Sequence, residues 1–190
     1  MYPKNVQKYT KYSKYTNFLL FFLYIHKKSS TFAAFFEYKM GKNIEIERKF
    51  LVKDESYKAQ AIGQHEIVQG YLCRQPGKTI RVRIRDNEAF LTIKSSRIYE
   101  GIARFEWEKE IDVDDAKQLL QLAEGALLEK TRWLVPAENG LTWEIDEFHG
   151  RKAGLTLAEI ELEDEKQEFV KPAFIGEEVT GNPEYYNANM

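Results

Sequence analysis

From Gly41 onward the chain alternates strictly between apolar and charged residues, and within each alternating stretch the charged members mostly carry one sign. Ile80-Arg81-Val82-Arg83-Ile84-Arg85 sets three arginines against three β-branched residues. A period of two belongs to a β-strand, whose successive side chains point to opposite faces. Asp86-Asn87 then supplies turn chemistry before a second run over 90–95, so the two runs read as a hairpin. The same pattern predicts strands over 67–73, 102–111, 128–135, 141–148 and 157–163, with turns at Pro76-Gly77 and Asn139-Gly140. Most of the chain is therefore expected to be antiparallel β.

Helical spacing is confined to a few places. Ala116, Leu119, Leu120 and Ala123 recur behind an Asp-rich start and before Gly125, which predicts a helix over 114–124 covering the apolar outside of a sheet. A weaker pattern predicts a second helix over 55–62, ended by Gly63. From Asp164 onward, Pro172, Gly176 and Gly181-Asn182-Pro183 predict a short helix followed by irregular packed chain.

The charged rows raise a question of electrostatics. Glu45, Glu47 and Lys49 share a face, as do Glu106, Glu108 and Glu110, Glu159, Glu161 and Glu163, and Glu144 with Asp146; Lys94, Arg104, Lys130 and Arg132 add positive charge. A solvated sheet face explains any one Glu-x-Glu. Same-sign rows on several strands are harder to place on a surface, where mixed signs avoid repulsion. About eight strands closed into a barrel, charged faces inward, would enclose a polar tunnel around one small ligand. Carboxylate rows would hold divalent cations, and Arg/Lys rows an oxygen-rich anion such as phosphate. The pattern points to a metal-dependent site for a polyphosphate chain.

Composition narrows the alternatives. The 190 residues are 43% hydrophobic, enough for one domain with a core. With 28 basic and 30 acidic residues there is no overall basic field to drive nonspecific nucleic-acid binding. Cys73 is alone, which excludes an intrachain disulfide, and it reads as a packing residue. His26, His65 and His149 lack zinc-ligand spacing, and His65 and His149 read as loop and turn residues. A metal must then be held by carboxylates, which selects a hard cation such as Mg²⁺ or Mn²⁺. No glycine-rich phosphate loop is present.

The N-terminal stretch reads differently. Four lysines among tyrosines precede the apolar run 18–25, and Lys27-Lys28 follow it. That run is too short to span a bilayer, and no small-x-small cleavage site follows, so neither membrane association nor export is expected. Residues 1–40 are expected to be an extension outside the domain, with Met40 as a natural start, and 41–190 to form one domain in the cytoplasm.

Glu45-x-Glu47-x-Lys49 resembles the ExExK signature of the CYTH superfamily, the triphosphate tunnel metalloenzymes. Gln69-Gly70-Tyr71-Leu72, Arg81-Val82-Arg83, Leu91-Thr92-Ile93-Lys94-Ser95, Arg104-x-Glu106-x-Glu108, Glu129-Lys130-Thr131-Arg132, Glu144-Ile145-Asp146, Glu159-x-Glu161 and Gly176-Glu177-Glu178-Val179-Thr180 follow in the family's order. With Tyr186-Asn187 near the end, the ensemble is most similar to the bacterial inorganic triphosphatase branch. The resemblance implies a mainly β fold, an eight-stranded antiparallel closed barrel with covering helices. It implies hydrolysis of tripolyphosphate to pyrophosphate and phosphate with two divalent ions. Glu45, Glu47, Glu159 and Glu161 are implied as metal ligands, with Glu106, Glu108 and Asp146 completing the acidic side. Lys49, Arg81, Arg83, Lys94, Arg104 and Arg132 are implied to grip phosphate. Lys130 is implied to position the attacking water, and Glu47 and Glu161 share its catalytic role. Arg85, Glu110, Glu144 and Glu163 are assigned to the mouth or solvent. Relatives in this fold also act as thiamine or nucleoside triphosphatases and class IV adenylyl cyclases, and a noncatalytic polyphosphate-binding module is a further alternative. Barrels of this kind could pair through an outer face as a homodimer.

Overall fold

The computed structural model describes residues 43–97 and 102–190, and the extension expected at 1–40 lies outside them. In chain order the elements are β1 (Ile44–Val52), β2 (Gly63–Gln75), β3 (Lys78–Arg85), β4 (Glu88–Arg97), β5 (Ala103–Ile111), α1 (Val113–Leu120), β6 (Leu128–Pro136), β7 (Thr142–Phe148), β8 (Thr156–Glu161) and β9 (Ile175–Glu178). Eight strands close into an antiparallel barrel in the order β1-β5-β4-β3-β2-β6-β7-β8, with β8 returning to β1. One edge of β1 is shared: Ile44, Glu45 and Ile46 pair with β5, and farther along Phe50 and Val52 pair with β9.

The barrel carries its hydrophobic cores on the outside. The outward residues Phe50, Trp143, Ile145 and Ile160 pack beneath Tyr57, Leu162 and Phe174, so the chain flanking the barrel covers β1, β7 and β8. On the far side Val82 and Ala89 pack beneath Ala116 and Leu120 of α1. Asp112 caps that helix, its carboxylate accepting from the amide N–H groups of Asp114 and Asp115 at 2.7 and 3.3 Å. A β-carbon on Gly70 would come within 2.8 Å of Ala123 Cβ and Leu127 Cδ2, so the lack of a side chain lets the chain after α1 lie directly on β2.

Three helical expectations change. The predicted helix over 114–124 stops at Leu120, and Leu122 beyond it is exposed. The stretch 55–62 forms only a 3₁₀ turn, Ser56–Ala59, because Tyr57 offers a single buried anchor. The segment after Asp164 contains no α-helix; it runs to β9, whose pairing with β1 no local alternation announced. Covering helices thus reduce to one α-helix among the described residues. His65, expected in a loop, lies in β2 opposite Arg132. No described helix is long and apolar enough to cross a membrane.

Candidate active site

Directly opposed residues in an antiparallel ladder share a face, so strand register fixes the inner wall. Glu45 faces Arg104, Glu47 faces Glu161, and Lys49 faces Glu159, which in turn faces Glu144. Around the other side Tyr71, Arg81, Thr92 and Glu108 form one belt, while Thr79, Lys94 and Glu106 form the next. Arg132 faces Asp146, and Lys130 faces Phe148. The barrel therefore brings all the expected site residues onto one inner surface.

Inside, carboxylates and cations interlock. Glu45 receives Lys94 Nζ at 2.8 Å and Arg104 Nε at 2.5 Å. Lys49 Nζ reaches Glu159 at 2.5 Å and Glu47 at 3.5 Å. Arg132 donates to both oxygens of Asp146 at 2.6 Å and to Glu159 at 2.9 Å, and Lys130 Nζ also binds Asp146. Glu108 accepts from Arg83 Nη2 at 3.0 Å and from Thr92 Oγ1 at 2.6 Å, while Lys94 holds Glu106 at 2.8 Å. Glu161 makes no ion pair among the described residues, and Lys94 acts on it only from a distance. Of the four residues assigned to the mouth or solvent, Arg85 pairs with Glu88 and Glu110 and Glu163 are exposed, whereas Glu144 is half-buried on the inner wall, opposite Glu159 and paired with the buried Arg132.

Charge balance is uneven along this wall. Burial opposes ionisation of Glu45, yet Lys94 and Arg104 overcome it and hold its carboxyl far below the usual range. Burial and the neighbouring Glu159 instead push Glu47 up. Partial desolvation, with Glu45, Glu144 and Glu47 nearby, raises Glu161. Glu106 is pushed up to about 7, by burial and then by Glu45, against the pull of Lys94. Lys130, with a side chain only 1% exposed, is lowered to about 8 by burial and by Arg132. Glu47, Glu161 and Glu106 are therefore the inner carboxyls whose charge the fold opposes, even though Lys49 and Arg104 lie 3.5 and 3.6 Å from Glu47 and Lys94 pairs with Glu106.

An all-carboxylate donor set carrying unbalanced negative charge fits a hard divalent cation. No three His, Cys, Asp or Glu side chains among the described residues converge as a ready-made coordination sphere. Most of these carboxylates lean on a lysine or arginine. On β3, Arg81, Arg83 and Arg85 each leave a buried Nε without an acceptor, which is spare capacity for a ligand's oxygens.

One end of the tunnel is apolar along half its circumference. Going toward that end, Lys49 gives way to Leu51, Glu159 to Leu157, Asp146 to Phe148 and Lys130 to Leu128. Leu128, Phe148 and Leu157 pack there with Val179 and Met190. The sequence also concealed an inner-wall residue. A bulge between Tyr71 and Cys73 shifts the phase of β2, turning Cys73 outward with Ile80 and bringing Arg74 inward opposite Thr79.

Comparison with known proteins agrees with this architecture. The CYTH domain model matches residues 43–188. An inorganic triphosphatase of Acetivibrio thermocellus is 45% identical over 152 residues, covering 80% of this chain and 94% of the relative. An inorganic triphosphatase of Nitrosomonas europaea is 38% identical over 147 residues, covering 75% and 93% respectively. The crystal structure of an inorganic triphosphatase superposes with a TM-score of 0.54 at 34% identity, covering 76% of this chain and 92% of that one.

Proposed function

The chain belongs to the CYTH domain family, and from that premise we propose that it is a metal-dependent triphosphatase that hydrolyses inorganic tripolyphosphate to pyrophosphate and phosphate. The observation that carries this reading is the inner wall itself, where guanidinium and ammonium groups alternate with carboxylates around an enclosed space. Lys49, Arg81, Arg83, Lys94, Arg104 and Arg132 would grip the nonbridging oxygens, and forked arginine donors suit that geometry. Each cation would exchange part of its bond to a carboxylate for one to phosphate.

The freed carboxylates would hold the metal. Glu45, Glu47, Glu159 and Glu161 are its proposed ligands, supported by Glu106, Glu108 and Asp146. When bound, Mg²⁺ or Mn²⁺ would supply positive charge that neutralises phosphate oxygens and acidifies water. Lys130, held by Asp146, would orient the attacking water in line with a terminal phosphorus. Water oxygen would bond to that phosphorus while one of its O–H bonds releases a proton to solvent, and the bridging P–O bond would break with its electron pair leaving on pyrophosphate. The basic side chains stabilise the charge spreading over the equatorial oxygens. Residues 41–190 would form one catalytic domain, working in the cytoplasm.

The test is phosphate release from tripolyphosphate, ATP and thiamine triphosphate with Mg²⁺ or Mn²⁺, repeated with chelator. Release from tripolyphosphate that chelator abolishes is expected. Undiminished release with chelator would remove the metal from the reading, and no release from any of the three would sink the hydrolase.

A further inference from the structure

Arg74 differs from the other cations on the described inner wall. It makes neither an ion pair nor a hydrogen bond among the described residues, and its Nε and Nη2 are buried without an acceptor. Its guanidinium carbon instead lies 4.9 Å from the centre of the buried Tyr71 ring. That contact fixes the group without neutralising its charge. Gly125, with φ +75°, lies alongside, so that a β-carbon there would be 3.8 Å from Nη2. A partly buried guanidinium with no counter-charge costs stability, and an oxyanion would repay that cost.

Register places this group relative to the phosphate-gripping residues. Arg83 and Arg81 face Gln69 and Tyr71, and the next inner pair along the same two strands is Thr79 with Arg74. A two-residue step along a strand covers about 7 Å, so Arg83, Arg81 and Arg74 form a file of about 14 Å. The file leads toward the end where β1, β6, β7 and β8 turn apolar. The β2–β3 side stays polar there, since Arg74 shares its belt with Thr79, Lys94 and Glu106.

We propose that Arg74 is an oxyanion subsite for the terminal phosphoryl group of a polyphosphate longer than tripolyphosphate, so that this residue sets the chain length the tunnel favours. The inference rests on the triphosphatase reading and extends it from one substrate to a graded series. Thr79 lines the same position with a hydroxyl able to donate to the bound anion.

Initial rates with tripolyphosphate and tetrapolyphosphate would be compared for the wild type, Arg74→Gln and Arg74→Lys. Arg74→Gln is expected to lower kcat/KM for tetrapolyphosphate by about 10- to 100-fold, as for a lost hydrogen bond to a charged group. The loss should appear in KM and exceed that on tripolyphosphate by at least about fivefold. Arg74→Lys should recover only part of it, because an ammonium lacks the fork. Equal losses on both chains, or none, would overturn the subsite while leaving the triphosphatase intact. Equilibrium titration of both chains in EDTA separates the two ideas. If the wild type binds both chains in EDTA yet releases no phosphate when Mg²⁺ or Mn²⁺ is restored, the hydrolase reading fails, and the tetrapolyphosphate-to-tripolyphosphate binding ratio, lost or retained in Arg74→Gln, decides the subsite. A wild type that binds neither chain in EDTA and hydrolyses neither with Mg²⁺ or Mn²⁺ overturns both.

Discussion

Glu147 on the outer wall and the Glu47–Glu161 pair on the inner wall sit on the same barrel yet solve opposite problems. Glu147 accepts from the Tyr57 hydroxyl at 2.5 Å and Trp133 Nε1 at 2.9 Å, and it pairs with Lys58 Nζ at 2.7 Å. Burial works against its charge, but Lys58, Tyr57 and Trp133 bring its carboxyl below the usual range. Every donor is supplied by the protein, and the cluster ties the turn at Ser56–Ala59 to β6 and β7. Glu47 faces Glu161 across the ladder instead, and both are raised. A carboxylate satisfied by its own protein is architecture; one held beside its like is waiting for positive charge from elsewhere.

The contrast breaks most sharply at Glu47. Glu47→Gln should cut kcat/KM for tripolyphosphate by about 10²–10³-fold without lowering the thermal midpoint, because it removes repulsion. A lower midpoint with normal phosphate release would reverse the assignment of the two regions. Asp146 belongs to both categories, being a proposed site residue wholly buried between Lys130 and Arg132. Asp146→Ala strands two buried cations and should cost about 3–5 kcal/mol in urea unfolding; a loss below about 1 kcal/mol would mean that the two cations find other partners. Glu147→Gln should cost about 1.5–3 kcal/mol while tripolyphosphate turnover stays within about twofold, and a loss of turnover would give the outer cluster a functional role.

A smaller effect concerns pH. Glu106 titrates near 7 in the fold against an ordinary value of 4.5, so the folded state binds its proton more tightly than the unfolded chain does. Between those values stability falls as pH rises, and the whole penalty is present above the folded value. In EDTA the wild type should lose about 1–2 kcal/mol relative to Glu106→Gln between about pH 5 and 8, after allowance for solvent screening. A constant difference across that range would show that Glu106 is not held protonated. Leu122→Ser, at a side chain 71% exposed beyond α1, should shift stability by no more than about 0.5 kcal/mol. A larger cost would return Leu122 to a packed helix.

Much of this architecture was legible because alternation is a local property. Ile80 to Arg85 could bury its isoleucines in only one way as a strand, and Asp86-Asn87 fixed the hairpin, so β3 and β4 follow from the residues themselves. The sign-sorted rows pointed inward because no open sheet face accommodates them well. Elements that depend on contacts remote in sequence were hidden. The stretch 55–62 has helical residues but one buried anchor, and the pairing of β9 with β1 joins residues more than a hundred positions apart. Arg74 was hidden for a further reason: strict alternation from Tyr71 brings Cys73 inward, and a single inserted residue reverses the phase.

By itself the sequence determined that this protein is a barrel of alternating strands with charged residues on one face and apolar residues on the other. Its motifs, taken together, pointed to the family. Tertiary structure decided which charges neutralise each other. Lys94 and Arg104 meet at Glu45, Glu47 meets Glu161, and Arg74 lies over a tyrosine ring without a carboxylate partner among the described residues, because barrel closure and one bulge set the register. Coulomb energy depends on distances across strands, which spacing along a chain does not contain.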